Sequence, residues 1–287
     1  MKNSTVLSVT KVIDYIEGHL DCTLNLNTVS KAVAYSKYHL HRMFVQTVGM
    51  TLHDYVLRRR LTEAAKLLVF SGKPIIEIAL LCGYESQQAF SVMFKYMYKV
   101  SPARYRKNSV FYPLQLRFSL HRNVSVGVFT TDDIVIANRS DIKAWMDLMH
   151  LVIDGYPVMN ESEYQSSIIK HIDEGCALVL KDKNRLIGAL AFCKETGCID
   201  FLGVHPQYKN AGIQKLFLHA LAKRYLPDRE ISMTTFREGD KADTGYRDLL
   251  KQLGFAEREL LVEFGYPTQR FVYLPHCKEE TQNEKAT

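Results

Sequence analysis

Clustered cysteines are missing from this sequence, whose six cysteines are scattered along 287 residues. None belongs to a Cys-x-x-Cys pair, the spacing typical of zinc ligands. Cys193 and Cys198 flank a predicted hairpin turn, KETG, which leaves a disulfide or a metal site open but favours neither. We therefore expect free thiols in a reducing cytosol and no bound metal.

Long apolar runs are also missing. The run IIEIALL is interrupted by Glu77, and it is far shorter than the roughly 18 residues that a membrane helix needs. No signal peptide is recognisable, and no nucleophile elbow, Walker loop or dinucleotide fingerprint indicates an enzyme class. We expect a soluble, cytoplasmic protein with no membrane contact.

Positive charge, in contrast, is concentrated at one end of the chain. Residues 1–107 contain 15 lysines and arginines against seven acidic residues, a balance of +8, whereas the remainder contains 22 against 24, a balance of −2. The length suits two ordinary domains. A basic domain beside a slightly acidic one is expected when one part binds a polyanion, although a solvated Lys/Arg face explains the charge equally well.

Helical periodicity dominates residues 9–106. Apolar residues recur at three- and four-residue spacing, in segments separated by Gly, Ser, Asn or Pro. This pattern predicts an all-α domain with short connections.

Two of these helical segments, YSKYHLHRMF and YESQQAFSVMF, are built alike. Each begins at a serine that can cap it, Ser36 or Ser86, and carries an apolar stripe opposite a polar face. The stripe residues are Leu40, Met43 and Phe44 in the first segment and Phe90, Met93, Phe94 and Met97 in the second. Each segment follows another short helix and a tight turn, so the sequence predicts two helix-turn-helix motifs.

The polar faces of the two helices carry side chains that can bond base edges in a DNA major groove, which is about 12 Å wide. A plain bundle with a polar surface explains one such helix, but two on the basic domain favour binding of double-stranded DNA. The long helix between them would hold them about 34 Å apart, one turn of DNA. Predicted phosphate contacts are Arg58, Arg59, Arg60 and Lys107.

The segments AVAYSKYHLHRMF and IIEIALLCGYESQQAFSVMFK, with SPARYR, resemble the two halves of an AraC/XylS-type DNA-binding domain of the MarA, SoxS and Rob branch. The resemblance covers residues 9–107. It implies base-facing residues at Tyr38, His41 and Arg42 in the first helix and at Gln87, Gln88, Val92 and Lys95 in the second, with Ser91 on the same face.

Three of these positions depart from the pattern of that branch. Tyr38 and His41 stand where the relatives have Trp and Gln, and Val92 replaces an Arg. A valine suits a thymine methyl, whereas an arginine reads guanine. We therefore expect a different base preference, above all in the second half-site.

The sequence pattern changes after residue 131. Strand-like alternation and helical periodicity take turns from IVIAN to QRFVYLP, which predicts an α/β (α+β) domain over residues 132–275 with a central mixed sheet. Residues 108–131 are predicted as an extended, partly packed connector, and residues 276–287 as a disordered tail.

The segment FLGVHPQYKNAGIQKLFLHAL runs from a strand through a loop into a helix, with Gly212 near the helix start. Such a helix N-terminus can hold a diphosphate, although a glycine is common in ordinary turns. Together with NRLIGALAF and GYRDLLKQLGF, the segment resembles the GNAT acetyltransferase fold over residues 132–275. The resemblance implies acetyl-CoA as cofactor, held by Val204, Lys209, Asn210, Ala211, Gly212, Ile213 and Gln214.

The GNAT resemblance also implies catalytic candidates. The family's general-acid tyrosine falls on Leu250, which cannot donate a proton, and Tyr246, one turn earlier, is the substitute. Asp200 is the only carboxylate on the central strand and is the candidate base. A role as a solvated strand residue without chemistry explains it equally well. Gln214 stands where the family has a tiny residue, and its side chain would crowd the diphosphate.

We therefore expect a sequence-specific transcription regulator, an activator by family resemblance, that binds promoter DNA and works with RNA polymerase. Its GNAT-like domain would sense acetyl-CoA or a small-molecule effector. Two alternatives stay open. In the first, the protein would be a DNA-tethered acetyltransferase that transfers acetyl from acetyl-CoA to an amine. In the second, its second domain would be a catalytically inactive interaction module.

Overall fold

The computed structural model describes residues 3–121, 127–152, 160–263 and 265–275. These residues form two compact units. The first contains residues 3–121, 127, 149–152 and 205–209, and the second contains residues 128–148, 160–204, 210–263 and 265–275. The predicted tail 276–287 lies outside the described residues, as do residues 122–126 of the predicted connector.

Helices α1 to α7 follow one another in the first unit. They span Asn3–Glu17, Leu26–Ala32, Lys37–Val48, Leu52–Phe70, Ile75–Leu81, Gln87–Tyr98 and Pro102–Asn108. Ser36 and Ser86 cap α3 and α6 as predicted, each accepting a backbone N–H with its hydroxyl oxygen. Because the first N–H groups of a helix lack partners within it, such a cap fixes where the helix begins. The predicted all-α region is confirmed.

The first helices and α4 enclose a common apolar core. Val9 and Ile16 of α1 pack in it with Leu40 and Phe44 of α3, and all four are fully buried. Burying a side chain of this size contributes roughly 1.5–3 kcal/mol. The core therefore decides which face of α3 turns inward and which faces solvent.

Helix α4 buries two of its three consecutive arginines. Arg58 and Arg59 are only 2% and 6% exposed, so their predicted role as phosphate contacts is wrong. The reason is helical geometry: both residues share a face with Tyr55, and that face turns to the core. Arg60 is half-buried and donates through Nε to Leu20 O at 2.9 Å and through Nη2 to Cys22 O. Its predicted phosphate contact is therefore not supported either.

Acceptors from three parts of the first unit hold the Arg59 guanidinium. Nε and Nη2 donate to the two carboxylate oxygens of Glu17, both at 2.8 Å, and Nη2 also donates to Glu63 Oε1 at 2.9 Å. Nη1 donates to Gln115 O at 3.0 Å. The Tyr55 hydroxyl donates to Glu17 Oε1 at 2.7 Å. A buried cation needs such a set of acceptors, because it has lost its hydration.

The second unit combines strands with helices. Strands β1 to β7 span Ile134–Ile136, Ala177–Asp182, Arg185–Phe192, Ile199–Val204, Ile231–Phe236, Ala256–Glu263 and Tyr266–Tyr273. Helices α9, α10 and α11 span Glu161–Asp173, Ile213–Ala220 and Tyr246–Gln252, and α8, Ile142–Val152, begins in this unit. Among the described residues, no helix is long and apolar enough to cross a membrane.

The strands form two antiparallel sheets, with the orders β1-β2-β3-β4 and β5-β7-β6. The predicted central mixed sheet is therefore corrected. Within the described ranges, the parallel pairing is confined to an isolated bridge between Cys198 and Ser232, where Ser232 N donates to Gly197 O at 2.9 Å. Only two residues separate β2 from β3, and so short a connection joins only antiparallel strands. This explains why the first sheet is antiparallel at that pair.

Replacing Arg59 tests the buried network. Arg59→Ala leaves the nearly buried carboxylate of Glu17 without its charge partner, and such a loss costs about 3–5 kcal/mol. Urea unfolding of the full chain, followed by far-UV circular dichroism, should show that loss. Arg104→Ala, at an exposed position of α7, should change the free energy of unfolding by no more than about 0.5 kcal/mol. Equal losses in the two variants would contradict the network.

Candidate functional site

Helices α2 and α3 form the first helix-turn-helix motif. Helix α3 turns Leu40, Met43 and Phe44 into the core, where each is at most 5% exposed. The helix ends at Gly49, whose left-handed backbone with φ of 80° allows its N–H to bond Val45 O. The opposite face of α3 is left to solvent.

That outer face carries the predicted base-reading residues of the first motif. Tyr38 is 75% exposed, and His41 and Arg42 are exposed as well. The guanidinium carbon of Arg42 lies 5.7 Å from the centroid of the Tyr38 ring, a cation–π contact that restrains the arginine side chain. The structure thus brings all three residues to one accessible face.

The second motif consists of α5 and α6, and its turn depends on Gly83. This residue has φ of 74°, and a Cβ here would lie 2.7 Å from Nη2 of Arg60 on α4. A side chain would therefore strain the backbone and collide with Arg60, so the turn requires glycine. Ser86 then caps α6, its Oγ accepting the N–H of Ala89 at 3.1 Å.

Helix α6 is anchored by aromatic residues. Phe90, Phe94 and Met97 are at most 1% exposed, as the predicted stripe requires, whereas Met93 is half-buried. The Phe90 and Phe94 rings lie 5.4 Å apart, and Phe94 stacks on Tyr98 at 4.4 Å. Contacts of this kind fix the rotation of the helix about its axis.

The outer face of α6 carries the predicted base-reading residues of the second motif. Gln87, Gln88 and Lys95 are exposed, Ser91 is half-buried, and Val92 is 67% exposed. Amide, hydroxyl and ammonium groups therefore surround one apolar side chain. This mixture can bond base edges and contact a thymine methyl.

Exposed cations near these faces can contact phosphates. Lys107, predicted for this role, is exposed in the last turn of α7. Arg104 is also exposed, and the sequence analysis missed it, although helical spacing places it one turn before Lys107. With Arg58 and Arg59 buried, these two residues are the phosphate candidates on α7.

The predicted cofactor loop lies between β4 and α10. Gly212 has φ of 69°, and apart from the glycine and its chain neighbours no heavy atom lies within 4 Å of the position that a Cβ would take. The loop therefore leaves open space where the helix begins, and the first N–H groups of α10 could bind a diphosphate there. Asn210 is exposed and Ala211 half-buried, whereas Val204, Ile213 and Gln214 are buried.

Lys209, predicted to contact the same diphosphate, has another partner. Its Nζ donates to the carbonyl of Gly49 at 3.1 Å, and both residues belong to the first unit. Lys209 would have to leave that carbonyl in order to neutralise a bound anion. The residues of the loop thus fit a diphosphate in part, through Gly212 and the helix N-terminus.

Asp200, the candidate base, is exposed near the start of β4, and its Oδ2 lies 2.9 Å from Nε2 of His171 on α9. Nδ1 of His171 lies 2.8 Å from Ser167 O. Both ring nitrogens therefore face oxygen acceptors, which favours the doubly protonated imidazolium. The hydrogen bond to Asp200 is the main reason that the pKa of His171 is raised, with partial burial acting against it and the Ser167 carbonyl adding to it.

Tyr246, the candidate acid, begins α11. Its hydroxyl donates to Leu202 O of β4 at 3.4 Å and lies 4.0 Å from Met233 Sδ of β5. The hydroxyl is therefore placed between two strands that belong to different sheets. Leu250 is fully buried and has no proton to donate.

In the part of the chain that the structure describes, no group of three or more His, Cys, Asp or Glu side chains could hold a metal ion. The five cysteines described there have free thiols.

Comparison with known proteins identifies relatives of this chain. A family described as a helix-turn-helix domain matches residues 29–108. The chain is 42% identical over 99 residues to the transposon Tn10 TetD protein of Escherichia coli, an overlap of 34% of this chain and 72% of TetD. It is 37% identical over 109 residues to the multiple antibiotic resistance protein MarA of Escherichia coli K12, covering 38% of this chain and 86% of MarA.

A solved structure gives a weaker match of another kind. A GNAT-family acetyltransferase from Bacillus cereus covers 49% of this chain and 95% of its own length, with a TM-score of 0.39 and 18% identity. A likeness of this strength does not establish a GNAT fold for the second unit. What is established there is a mixed helix and strand region with antiparallel sheets.

The His171–Asp200 contact predicts a pH-dependent stability. Because the pKa of His171 is raised in the folded protein, its stabilising contribution is complete below the unfolded-state pKa of about 6.5. The contribution is lost as pH rises through the folded-state pKa. Chemical unfolding of the full chain from about pH 6 to about pH 9 should therefore show a larger loss of stability in the wild type than in His171→Gln.

A second variant checks the partner. Asp200→Asn removes the charge that stabilises the imidazolium, so it should reduce the same pH-dependent loss. Wild-type and variant curves that run parallel over this range would show that the contact does not control His171.

Proposed function

Since the chain belongs to the AraC/MarA family of helix-turn-helix transcription regulators, we propose that it binds a bipartite promoter site through α3 and α6. We further propose that a ligand bound by the second unit controls this binding. The observation that carries the first part is the pair of polar, solvent-facing helix faces within one basic unit. Their exposed side chains are the types that read base edges.

Each of the two helices would read its half-site by a different chemistry. On α3, the exposed guanidinium of Arg42 has the donor fork that fits O6 and N7 of guanine, and Tyr38 supports it from the side. On α6, Gln88 can bond adenine while Val92 contacts a thymine methyl. The apolar contact makes the second half-site the one that departs most from the pattern of the relatives.

The regulator would activate transcription in contact with RNA polymerase, as the family resemblance implies. Its second unit would sense acetyl-CoA or another small effector that carries a diphosphate or similar anion. The open space at Gly212 and the N-terminus of α10 support this reading.

An acetyltransferase is the alternative, and the position of the Tyr246 hydroxyl between β4 and β5 favours it. Acetyl-CoA would supply an activated thioester when bound. Asp200 would take a proton from the attacking amine once His171 releases its oxygen, and Tyr246 would give its hydroxyl proton to the departing sulfur. The amine would be a small molecule or a protein side chain.

Arg42→Ala tests base reading. Binding of the full chain to a site selected from random duplex DNA should weaken by about 1–3 kcal/mol, or about 5- to 150-fold, with preference relaxed at one base pair. The loss comes from the unpaired guanine edge. Equal weakening on the selected site and on random DNA would mean that the wrong face of α3 has been assigned to the groove.

Lys107→Ala is the matched control for phosphate contact. It should weaken binding to selected and random DNA alike and reduce the slope of log affinity against log salt by about one. A wild-type protein that selects no sequence over bulk competitor would refute the DNA-binding proposal itself.

Calorimetric titration of the full chain with acetyl-CoA tests the second unit. Saturable binding is expected, and Gly212→Val should abolish it, because a branched side chain strains the left-handed backbone and fills the loop. Gly239→Val is the matched control, since Gly239 has a similar φ of 75° and equally open surroundings. No heat at millimolar acetyl-CoA would eliminate both the acetyl-CoA sensor and the enzyme.

Turnover separates those two functions. Release of free CoA from acetyl-CoA in the presence of a panel of amines, lost in Tyr246→Phe while binding is retained, would favour the enzyme. Binding without release by the wild type would favour the sensor.

A further inference from the structure

Residues 111–118, here called the strap, follow α7 and have no regular secondary structure. The strap runs back along α4, contacting in turn Phe70, Thr62, Arg59 and Tyr55 of that helix. From Phe70 to Tyr55 the helix rises about 22 Å, and residues 111 to 118 span at most about 25 Å when fully extended. The strap therefore has little slack.

One end of the strap holds the second motif. The carbonyl of Tyr112 accepts hydrogen bonds from the hydroxyls of Tyr98 at 2.9 Å and Tyr105 at 3.1 Å. Tyr98 is the last residue of α6, the helix whose outer face carries the second set of base-reading residues. Tyr112 N completes the attachment by donating to the Tyr105 hydroxyl at 2.7 Å.

The other end holds the first motif. Phe118 is 5% exposed, and its ring stacks on Tyr55 with centroids 5.6 Å apart. Tyr55 meets the edge of Phe44 at 5.7 Å, and Phe44 is a core residue of α3. The strap therefore reaches the first base-reading helix through one intervening ring.

Buried hydrogen bonds attach the middle of the strap to α4. The backbone N–H groups of Leu114 and Gln115 both donate to Thr62 Oγ1 at 3.1 Å, and Gln115 O accepts from Arg59. Breaking such bonds in the interior leaves polar groups unsatisfied. Sliding of the strap along α4 is therefore costly.

We propose that the strap is a positioning element that fixes the separation of α3 and α6, and thereby the half-site spacing that the protein accepts. This inference rests on the proposed function of these two helices. Helix α4 packs against α3 of the first motif and against α5 of the second, and the strap connects the same two motifs a second time. With a rigid double connection, the protein binds tightly only to sites of one half-site spacing. With a loose connection, it binds sites of several spacings with similar affinity.

The test compares DNA sites that differ only in spacing. One inserted base pair moves a half-site by about 3.4 Å and rotates it by about a tenth of a turn. For the full-length wild type, such an insertion into the selected bipartite site should reduce affinity about tenfold or more. Thr62→Val removes the acceptor for two strap N–H groups. In this variant and in Phe118→Ala, the ratio of affinities for the original and the inserted site should fall towards about twofold.

Affinity for each isolated half-site distinguishes positioning from a merely structural role. Loss of a merely structural contact would weaken binding to a single half-site as well. The half-site affinity should stay within about twofold of wild type in both variants. Leu116→Ala is the matched control, because Leu116 is an exposed strap residue, at 37%, and should keep the wild-type ratio. If Phe118→Ala fails to fold by circular dichroism, Phe118→Leu, which keeps the apolar volume but loses the ring stacking, is measured instead.

The outcomes separate the two hypotheses. A wild type with no preference for a bipartite site refutes the proposed function. The positioning role is overturned if the wild type discriminates spacing and the strap variants lose as much affinity on insertion of a base pair as the wild type does. It is also overturned if the strap variants lose as much affinity for isolated half-sites as for the bipartite site.

Discussion

The bond between Arg59 and Glu17 is the contact on which the first unit depends. A guanidinium taken out of water is tolerated only while acceptors surround it, and here the acceptors come from α1, from α4 itself and from the strap. Moving any one of these segments would leave a buried charge without one of its hydrogen-bond partners. The network therefore couples their positions, and its main effect is to single out one arrangement, since an apolar substitute of similar volume can be as stabilising.

This arrangement separates the buried face from the exposed face of each of the helices α3 and α6. Phe44 and Phe94 are fully buried, whereas Tyr38 and Val92 are 75% and 67% exposed. The apolar face sets where the helix lies, and the outer face can change without disturbing it, because exposed substitutions usually alter stability little. That is why the departures from the relatives at the outer faces alter the expected base preference but leave the helical region intact.

Local periodicity accounts for what the sequence could predict. The helices of the first unit, the caps Ser36 and Ser86 and the outer faces of α3 and α6 follow from spacing within ten or so residues. The charge of Arg58 and Arg59 predicts phosphate contacts, but their spacing places them on the buried face of α4, together with Tyr55 and Thr62. The alternation of strands and helices predicts a mixed sheet, but the two-residue connection between β2 and β3 requires an antiparallel pair. Helix α9 is hard to recognise in the sequence, because its apolar positions form a narrow stripe among Ser, Glu and Gln.

The candidate chemistry of the second unit is harder to predict from the sequence than the exposed faces of α3 and α6. Asp200 could be found from the sequence as a carboxylate on a strand, but its partner His171 lies 29 residues earlier, on the separate helix α9. A base-reading face is a property of one helix, so the sequence of that helix is sufficient. A proton-transfer site is a property of side chains that only the tertiary fold brings together. The Asp200 carboxylate is already hydrogen-bonded to the His171 ring, and it must give up that partner before it can accept a proton from an amine. The occupied state of Asp200 therefore weighs on the enzyme hypothesis, whereas the ligand-sensing hypothesis, which needs no free base, is unaffected by it.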